Sequence, residues 1–183
     1  MSTKSLYVRH LTITGLLAAL ICVLGPISLP IGPVPISLGT LAIYITLYLA
    51  DWKWASASVI TYILVGAAGL PVFSGFSGGL GKLAGPTGGY IVGYIFLAII
   101  AGYAVSPSKK RITHLAGLLI GTAVLYAFGT AWFCCVTDMP IGQALEKCVW
   151  IFIPGDLLKI AVAMSIGPVI RRRIDESSRF TKK

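Results

Sequence analysis

The chain has 183 residues, of which 56% are hydrophobic and 11% charged, with 15 Lys and Arg against 6 Asp and Glu and a net charge of +9. Globular domains carry about 25% charged residues, so with a mean hydropathy of +0.88 this chain is too apolar for a water-soluble fold and far too apolar for disorder. Its 21 Gly lack a three-residue period and its 4 Cys are too few for a disulfide scaffold, which leaves an integral membrane protein.

A helical span takes about 20 apolar residues. Six spans fit the length with short loops and no room for a soluble nucleotide-hydrolysing domain. The apolar runs are continuous rather than alternating, which argues against a β-barrel. The expected fold is all-α: one membrane domain over residues 1–183, a bundle of six transmembrane helices.

The first span covers 6–25, with Lys4, Arg9 and His10 at its N-terminal end. It is long for a signal peptide, and no small-residue cleavage site follows it. Gly15 with Ala19, and Ala18 with Cys22, place small residues four apart, which lets another helix approach closely. That helix is either a neighbour in the same bundle or a partner subunit. Residues 26–35 hold Pro26, Pro30, Pro33 and Pro35, which no regular helix accommodates. The stretch is apolar and uncharged, so it is expected to dip back into the protein as an outer-side loop.

The second span, 36–50, ends at Asp51-Trp52-Lys53-Trp54, with interfacial tryptophans. The third covers 55–70. A Gly-rich outer-side loop follows at 71–89, with Gly75, Gly78, Gly79, Gly81, Gly85, Gly88 and Gly89. The fourth span, 90–105, stops at Ser106-Pro107-Ser108-Lys109-Lys110-Arg111. The fifth covers 112–136 and precedes an outer-side loop at 137–147. The sixth, 148–170, is interrupted at Pro154-Gly155 and ends at Pro168 and Arg171-Arg172-Arg173.

Basic residues mark the cytoplasmic side of a membrane protein. Lys4, Arg9, Lys53, Lys109, Lys110, Arg111, Arg171, Arg172, Arg173, Arg179, Lys182 and Lys183 fall on one side, and Lys82 and Lys147 on the other. Both termini are therefore expected in the cytoplasm. The basic excess faces anionic lipid rather than nucleic acid. Cys22, Cys134, Cys135 and Cys148 read as small core residues. With His10 and His114 both near the inner face, no metal site, cofactor or catalytic residue is expected.

Ionisable residues within a span mark function, and Asp156 and Lys159 are the pair that does so. Three residues apart, they share a helix face. Lys159 lies about 18 Å above Arg171 and Asp156 about 22 Å, which places them in the outer half of a layer about 30 Å thick. A helix loosened at Pro154-Gly155 offers N–H groups to an anion. The pair is either a folded-in ion bridge or part of a ligand site, and the two are compatible.

The Gly-rich segment carries three false motifs. Gly75 to Lys82 approximates a phosphate loop, but it is one residue too long and has Leu83 where Ser or Thr belongs. Gly79-Leu80-Gly81-Lys82-Leu83-Ala84 follows no β-strand, as a dinucleotide site requires. Gly75-Phe76-Ser77-Gly78 approaches an intramembrane serine motif, but His114 lies at the opposite face, out of reach as its base. The remaining readings are a flexible outer loop or a backbone bare enough to approach a ligand. Phe73, Phe76 and Tyr90 oppose flexibility.

Three stretches resemble the BioY family, biotin-specific substrate-binding (S) subunits of energy-coupling-factor (ECF) transporters. They are Pro33-Val34-Pro35-Ile36-Ser37-Leu38-Gly39-Thr40-Leu41, the segment from Gly69-Leu70-Pro71-Val72-Phe73 to Gly85-Pro86-Thr87-Gly88-Gly89-Tyr90, and Ile153-Pro154-Gly155-Asp156-Leu157-Leu158-Lys159. The resemblance runs from Leu11 to about Ile170 and departs at Gly39, where the family often has Gln. It implies capture of biotin from outside a bacterial cytoplasmic membrane. It also implies a transmembrane coupling subunit docked on Gly15, Ala18, Ala19 and Cys22, and two cytoplasmic ATPase subunits that supply the hydrolysis this chain lacks. In that reading Asp156 takes the ureido N–H groups, and Lys159 the carboxylate or ureido oxygen. Lys82 and the backbone of Gly85, Thr87, Gly88 and Gly89 are further candidates for the carboxylate. Phe73, Tyr90, Val34 and Ile36 enclose the rings. The alternatives are the same transporter class with another vitamin, an intramembrane enzyme, and a passive channel or scaffold.

Overall fold

The computed structural model describes residues 3–106 and 108–180. Pro107, Lys182 and Lys183, used in the boundary and charge arguments above, lie outside them, as do the side chains of Lys4 and Arg179. The elements in chain order are α1 (Thr3–Leu24), β1 (Ser28–Leu29), β2 (Ile36–Ser37), α2 (Gly39–Leu49), α3 (Trp52–Ala67), α4 (Leu80–Ala84), α5 (Gly88–Ala104), α6 (Arg111–Thr137), α7 (Ile141–Leu145), a π-helical turn (Glu146–Trp150) and α8 (Phe152–Phe180).

Among the described residues, three helical stretches are long and apolar enough to cross a membrane: Tyr7–Leu24, Arg111–Thr137 and Ile141–Ile174. Gly39–Leu49 and Gly88–Ala104 are apolar but shorter. Large apolar side chains point outward along the bundle, Leu16, Leu64, Ile120 and Val169 among them. An exterior of this kind suits lipid and not water.

The 11 residues of α2 rise about 16 Å, roughly half a hydrocarbon layer. The chain before it is extended rather than helical. β1 and β2 pair antiparallel, Ser28 opposite Ser37 and Leu29 opposite Ile36. Residues 36 and 37 are thus strand, not the start of a helix. Pro33 and Pro35 bias the chain just ahead of them toward extended backbone, and the helix begins only after Leu38.

The Gly-rich segment is anchored rather than loose. Phe73 is fully buried, edge-on to Tyr62 at 5.5 Å and against Gly66. The Gly75 N–H donates to the Pro26 carbonyl and that of Gly79 to Gly66. Gly75 and Gly79 have φ of 74° and 88°, which side-chain-bearing residues adopt at a cost. The segment also forms α4, and α5 starts two residues before Tyr90.

The most extensively packed helix pair is α5 with α6, which run antiparallel. Glycines on both helices remove the Cβ atoms that would hold them apart. Gly93 and Gly121 face Leu125 and Leu97, Gly117 faces Ala104, and Gly129 and Gly89 take the rings of Tyr90 and Trp132.

The sixth apolar run departs from expectation twice. Pro154 and Gly155 lie inside the first turn of α8, where proline is tolerated. The irregularity sits one turn earlier, in the π-helical turn and Ile151. Proline has no N–H to return to the Trp150 carbonyl, so regular bonding cannot run through that point. Pro168 does not end α8, which continues to Phe180. There Gly167 lets the Tyr48 ring lie directly on the helix backbone.

Gly117→Ala should cost about 1–3 kcal/mol, the range for overpacking, because its Cβ meets that of Ala104. Gly15→Ala, which meets nothing within 4 Å, should be neutral or slightly stabilising. Thermal unfolding of the two variants in detergent measures the difference.

Candidate functional site

One turn into α8, Asp156 and Lys159 face the bundle interior, 5% and 8% exposed. Their side chains are 2.8 Å apart, Lys159 Nζ to Asp156 Oδ1. Lys159 also donates to the Ser37 carbonyl at 2.7 Å and to Thr40 Oγ1 at 2.9 Å. An ammonium has three protons, and all three are engaged. The Thr40 hydroxyl in turn donates a hydrogen bond to Asp156 Oδ1 at 3.2 Å, and Tyr126 donates to Oδ2 at 2.6 Å. The charges are thus paired, and each retains further hydrogen bonds, the condition for burying them in apolar surroundings.

Four elements converge on this network. β2 and the start of α2 bring Ser37 and Thr40, α6 brings Tyr126, and α8 the ion pair. Above it lies a cavity walled by Val34, Ile36, Tyr90, Tyr94, Tyr126 and Phe152. Phe152 sits edge-on to Tyr90 at 6.3 Å and tilted against Tyr126 at 6.4 Å. The Tyr90 hydroxyl bonds Thr130 Oγ1 at 2.9 Å and donates to the Cys148 carbonyl at 3.3 Å, which fixes the ring. The enclosed space is about 40 Å³, enough for a few waters. A vitamin-sized ligand seats here only if the lining moves outward. β2 stands between the cavity and an apolar groove of about 480 Å³, which shares Ile36, Ser37 and Lys159 with it.

The structure brings together Asp156, Lys159, Tyr90, Val34 and Ile36 from the residues singled out in the sequence. Phe73, Lys82, Gly85, Thr87, Gly88 and Gly89 do not line this cavity. Phe73 is committed to the core against Tyr62. Gly85 accepts from the Trp132 indole at 3.1 Å, and Gly89 packs beneath the same ring. Gly88 lies against the Leu83 backbone, and Thr87 precedes α5 without capping it through its side chain. Lys82 lies on α4, half-buried.

Sequence reasoning missed Ser37, Thr40, Tyr94 and Tyr126. Tyr94 follows Tyr90 by four residues on α5, a same-face spacing that could have signalled it. Tyr126 stands in an otherwise apolar run, where its hydroxyl needs a partner. At Gly39 a Cβ would point between the Ser37 hydroxyl, 3.1 Å away, and that of Tyr94, 3.6 Å away. Any side chain at this position projects toward these two hydroxyls.

On α1 the small residues divide. Gly15 and Ala19 face outward, whereas Ala18 is buried within the chain and Cys22 half-buried. Among the described residues no group of three or more His, Cys, Asp or Glu could hold a metal ion.

Residues 1–176 match the model of the BioY family. The chain is 36% identical over 159 residues to "Biotin transporter BioY" of Thermotoga maritima, covering 87% of this chain and 94% of that one. It is also 36% identical over 177 residues to a protein of the same name from Rhizobium etli, covering 88% and 92%. Among solved structures it resembles the S-component for biotin from an ECF-type ABC transporter, with a TM-score of 0.85, 28% identity, and 94% and 95% of the two chains covered. The chain belongs to the BioY family and is a multi-pass membrane protein.

Lys159→Met leaves Asp156 charged and buried without a cation, and should destabilise by about 3–5 kcal/mol. Asp156→Asn combined with Lys159→Met should recover a large part of that loss. Unfolding midpoints of the single and double variants in detergent check the coupling.

Proposed function

We propose that this chain is the substrate-binding subunit of an ECF-type transporter and captures biotin for uptake across a bacterial cytoplasmic membrane. The observation that carries the reading is the buried Asp156–Lys159 pair beneath an aromatic cavity, in a chain 36% identical to proteins named biotin transporters. Biotin has a polar ureido head with two N–H donors and one acceptor, an apolar bicycle and a carboxylate tail. Asp156 can only accept and Lys159 can only donate, which suits such a head or tail. Tyr90, Tyr126 and Phe152 offer faces for the rings, and Val34 and Ile36 close the side toward β2. Lys82 and the Gly85–Gly89 backbone are assigned a supporting part, shaping the end of the bundle above the cavity.

In the same reading the bundle makes six crossings with both termini cytoplasmic. The hairpin, the Gly-rich segment and α7 face outward. The exposed Gly15 and Ala19 strip of α1 meets the transmembrane coupling subunit, and two cytoplasmic ATPase subunits supply ATP hydrolysis. The chain itself is a binding protein and performs no catalysis. The ion network is internally complete, so binding is an exchange. A ligand group replaces Thr40, Tyr126 or Ser37 as a partner of the charged pair.

Equilibrium titration of detergent-purified protein with biotin, thiamine and riboflavin tests the assignment. Saturable binding of biotin alone is expected. Tyr126→Phe leaves the ion pair whole and removes one donor to Asp156 and one polar group of the wall. It should change biotin affinity by about tenfold, the worth of one hydrogen bond to a charged group. Binding of another vitamin in place of biotin would reassign the ligand, and no binding of any would remove the function.

A further inference from the structure

At the end of the bundle opposite the cavity, α1, the α2–α3 junction and α8 enclose a second cleft of about 180 Å³. Arg9 and His10 line it from α1, Asp51 from the junction, and Arg171 from α8. Ile13, Leu49 and Ile174 form an apolar flank. The two arginines are incompletely used by the protein. Arg171 Nη1 donates to the Tyr48 carbonyl at 3.1 Å. Its Nη2 stands 3.9 Å from Asp51 Oδ1, beyond hydrogen-bond distance, and that carboxylate is 67% exposed. Five guanidinium protons are available, so donors remain free toward the cleft. Arg9 is exposed and has no acidic partner among the described residues. The His10 ring lies flat on Trp54 at 4.9 Å and 1°, which holds it at the cleft wall. Neither of its nitrogens has a protein hydrogen-bond partner among the described residues.

Two guanidinium groups against one solvent-screened carboxylate leave the cleft positive, and guanidinium donors match phosphate oxygens. We propose that this cleft is a binding site for an anionic phosphate group, held between Arg9 and Arg171 with His10 as a third donor. The apolar flank of Ile13, Leu49 and Ile174 would lie beside the glycerol and first acyl carbons if the phosphate belongs to a lipid. The site is distinct from the ligand cavity, and its test does not use biotin.

The full-length protein is purified in neutral detergent and exchanged into nanodiscs or micelles containing phosphatidylglycerol or phosphatidylcholine. Retained lipid is counted by native mass spectrometry. In a parallel arm the unfolding midpoint is followed with inorganic phosphate against chloride at equal ionic strength. Selective retention of phosphatidylglycerol, weakened about fivefold by Arg9→Gln and by Arg171→Gln, is expected. Fivefold is the worth of one basic residue at an anionic bilayer surface. The Lys109→Gln variant should bind as the wild type does, because that side chain is engaged at Tyr103. A midpoint raised by inorganic phosphate and lost in Arg9→Gln would identify free phosphate as the source instead. Arg171→Gln also loses the Tyr48 contact, so Arg9→Gln, which breaks no ion pair, remains decisive if the former does not fold. Equal loss in Lys109→Gln, or no loss in Arg9→Gln in either arm, would overturn the site and leave only a diffuse basic surface.

Discussion

The interior depends on one condition: an ammonium and a carboxylate taken out of water must be fully bonded where they stand. Lys159 satisfies it with Asp156, Thr40 and the Ser37 carbonyl, and Asp156 with Lys159, Thr40 and Tyr126. The partners come from β2, α2, α6 and α8, so the condition is met only when all four are in place. The charges do not simply add stability, since burying them costs several kcal/mol each before any contact is made. Their effect is to reject arrangements in which a partner is missing, for such an arrangement leaves a charge bare in an apolar bundle. The same four elements, with α5 supplying Tyr90 and Tyr94, surround the cavity, so the correct fold and a formed site are one requirement.

The α5–α6 seam serves the site at a distance. The two helices approach closely because Gly93, Gly117, Gly121 and Gly129 have no Cβ. Within lipid, apolar burial does not drive helices together, and close backbone contact takes a larger share of that role. The seam also fixes the cavity wall. Gly129 holds the Tyr90 ring, and Thr130, the next residue, bonds its hydroxyl. Three residues before Gly129, α6 presents Tyr126 to Asp156. One helix thus sets two aromatic groups of the site relative to each other.

What the sequence disclosed follows from how local each signal was. Asp156 and Lys159 stand out because charges in an apolar run have no inconspicuous explanation, and their spacing of three already places them on one face. The anchored state of the Gly-rich segment was legible in Phe73, whose ring is fully buried, but not in Phe76, which the same reasoning would bury and which is 70% exposed. The full wall was not legible, because Thr40, Tyr94 and Tyr126 acquire meaning only when α2, α5 and α6 meet, and nothing local records that meeting. The glycines at 85, 88 and 89 show that a motif residue also serves the scaffold: Gly85 and Gly89 lie against Trp132, and Gly88 lies against the Leu83 backbone. Pro154 misplaced the helix break because proline disturbs the carbonyl one turn before itself rather than its own position.

The acceptor that Lys159 finds on β2 is a main-chain oxygen, at 2.7 Å. A peptide carbonyl cannot be mutated away. A change of side chain at residue 37 therefore leaves the cation its tether, provided the strand holds its course, although it takes away the hydroxyl that accepts the Gly39 N–H. Thr40 holds the cation by its side chain instead, since its hydroxyl both accepts from Lys159 and donates to Asp156. Two positions that touch the same ammonium thus answer to it differently, one through its backbone path and the other through its side chain.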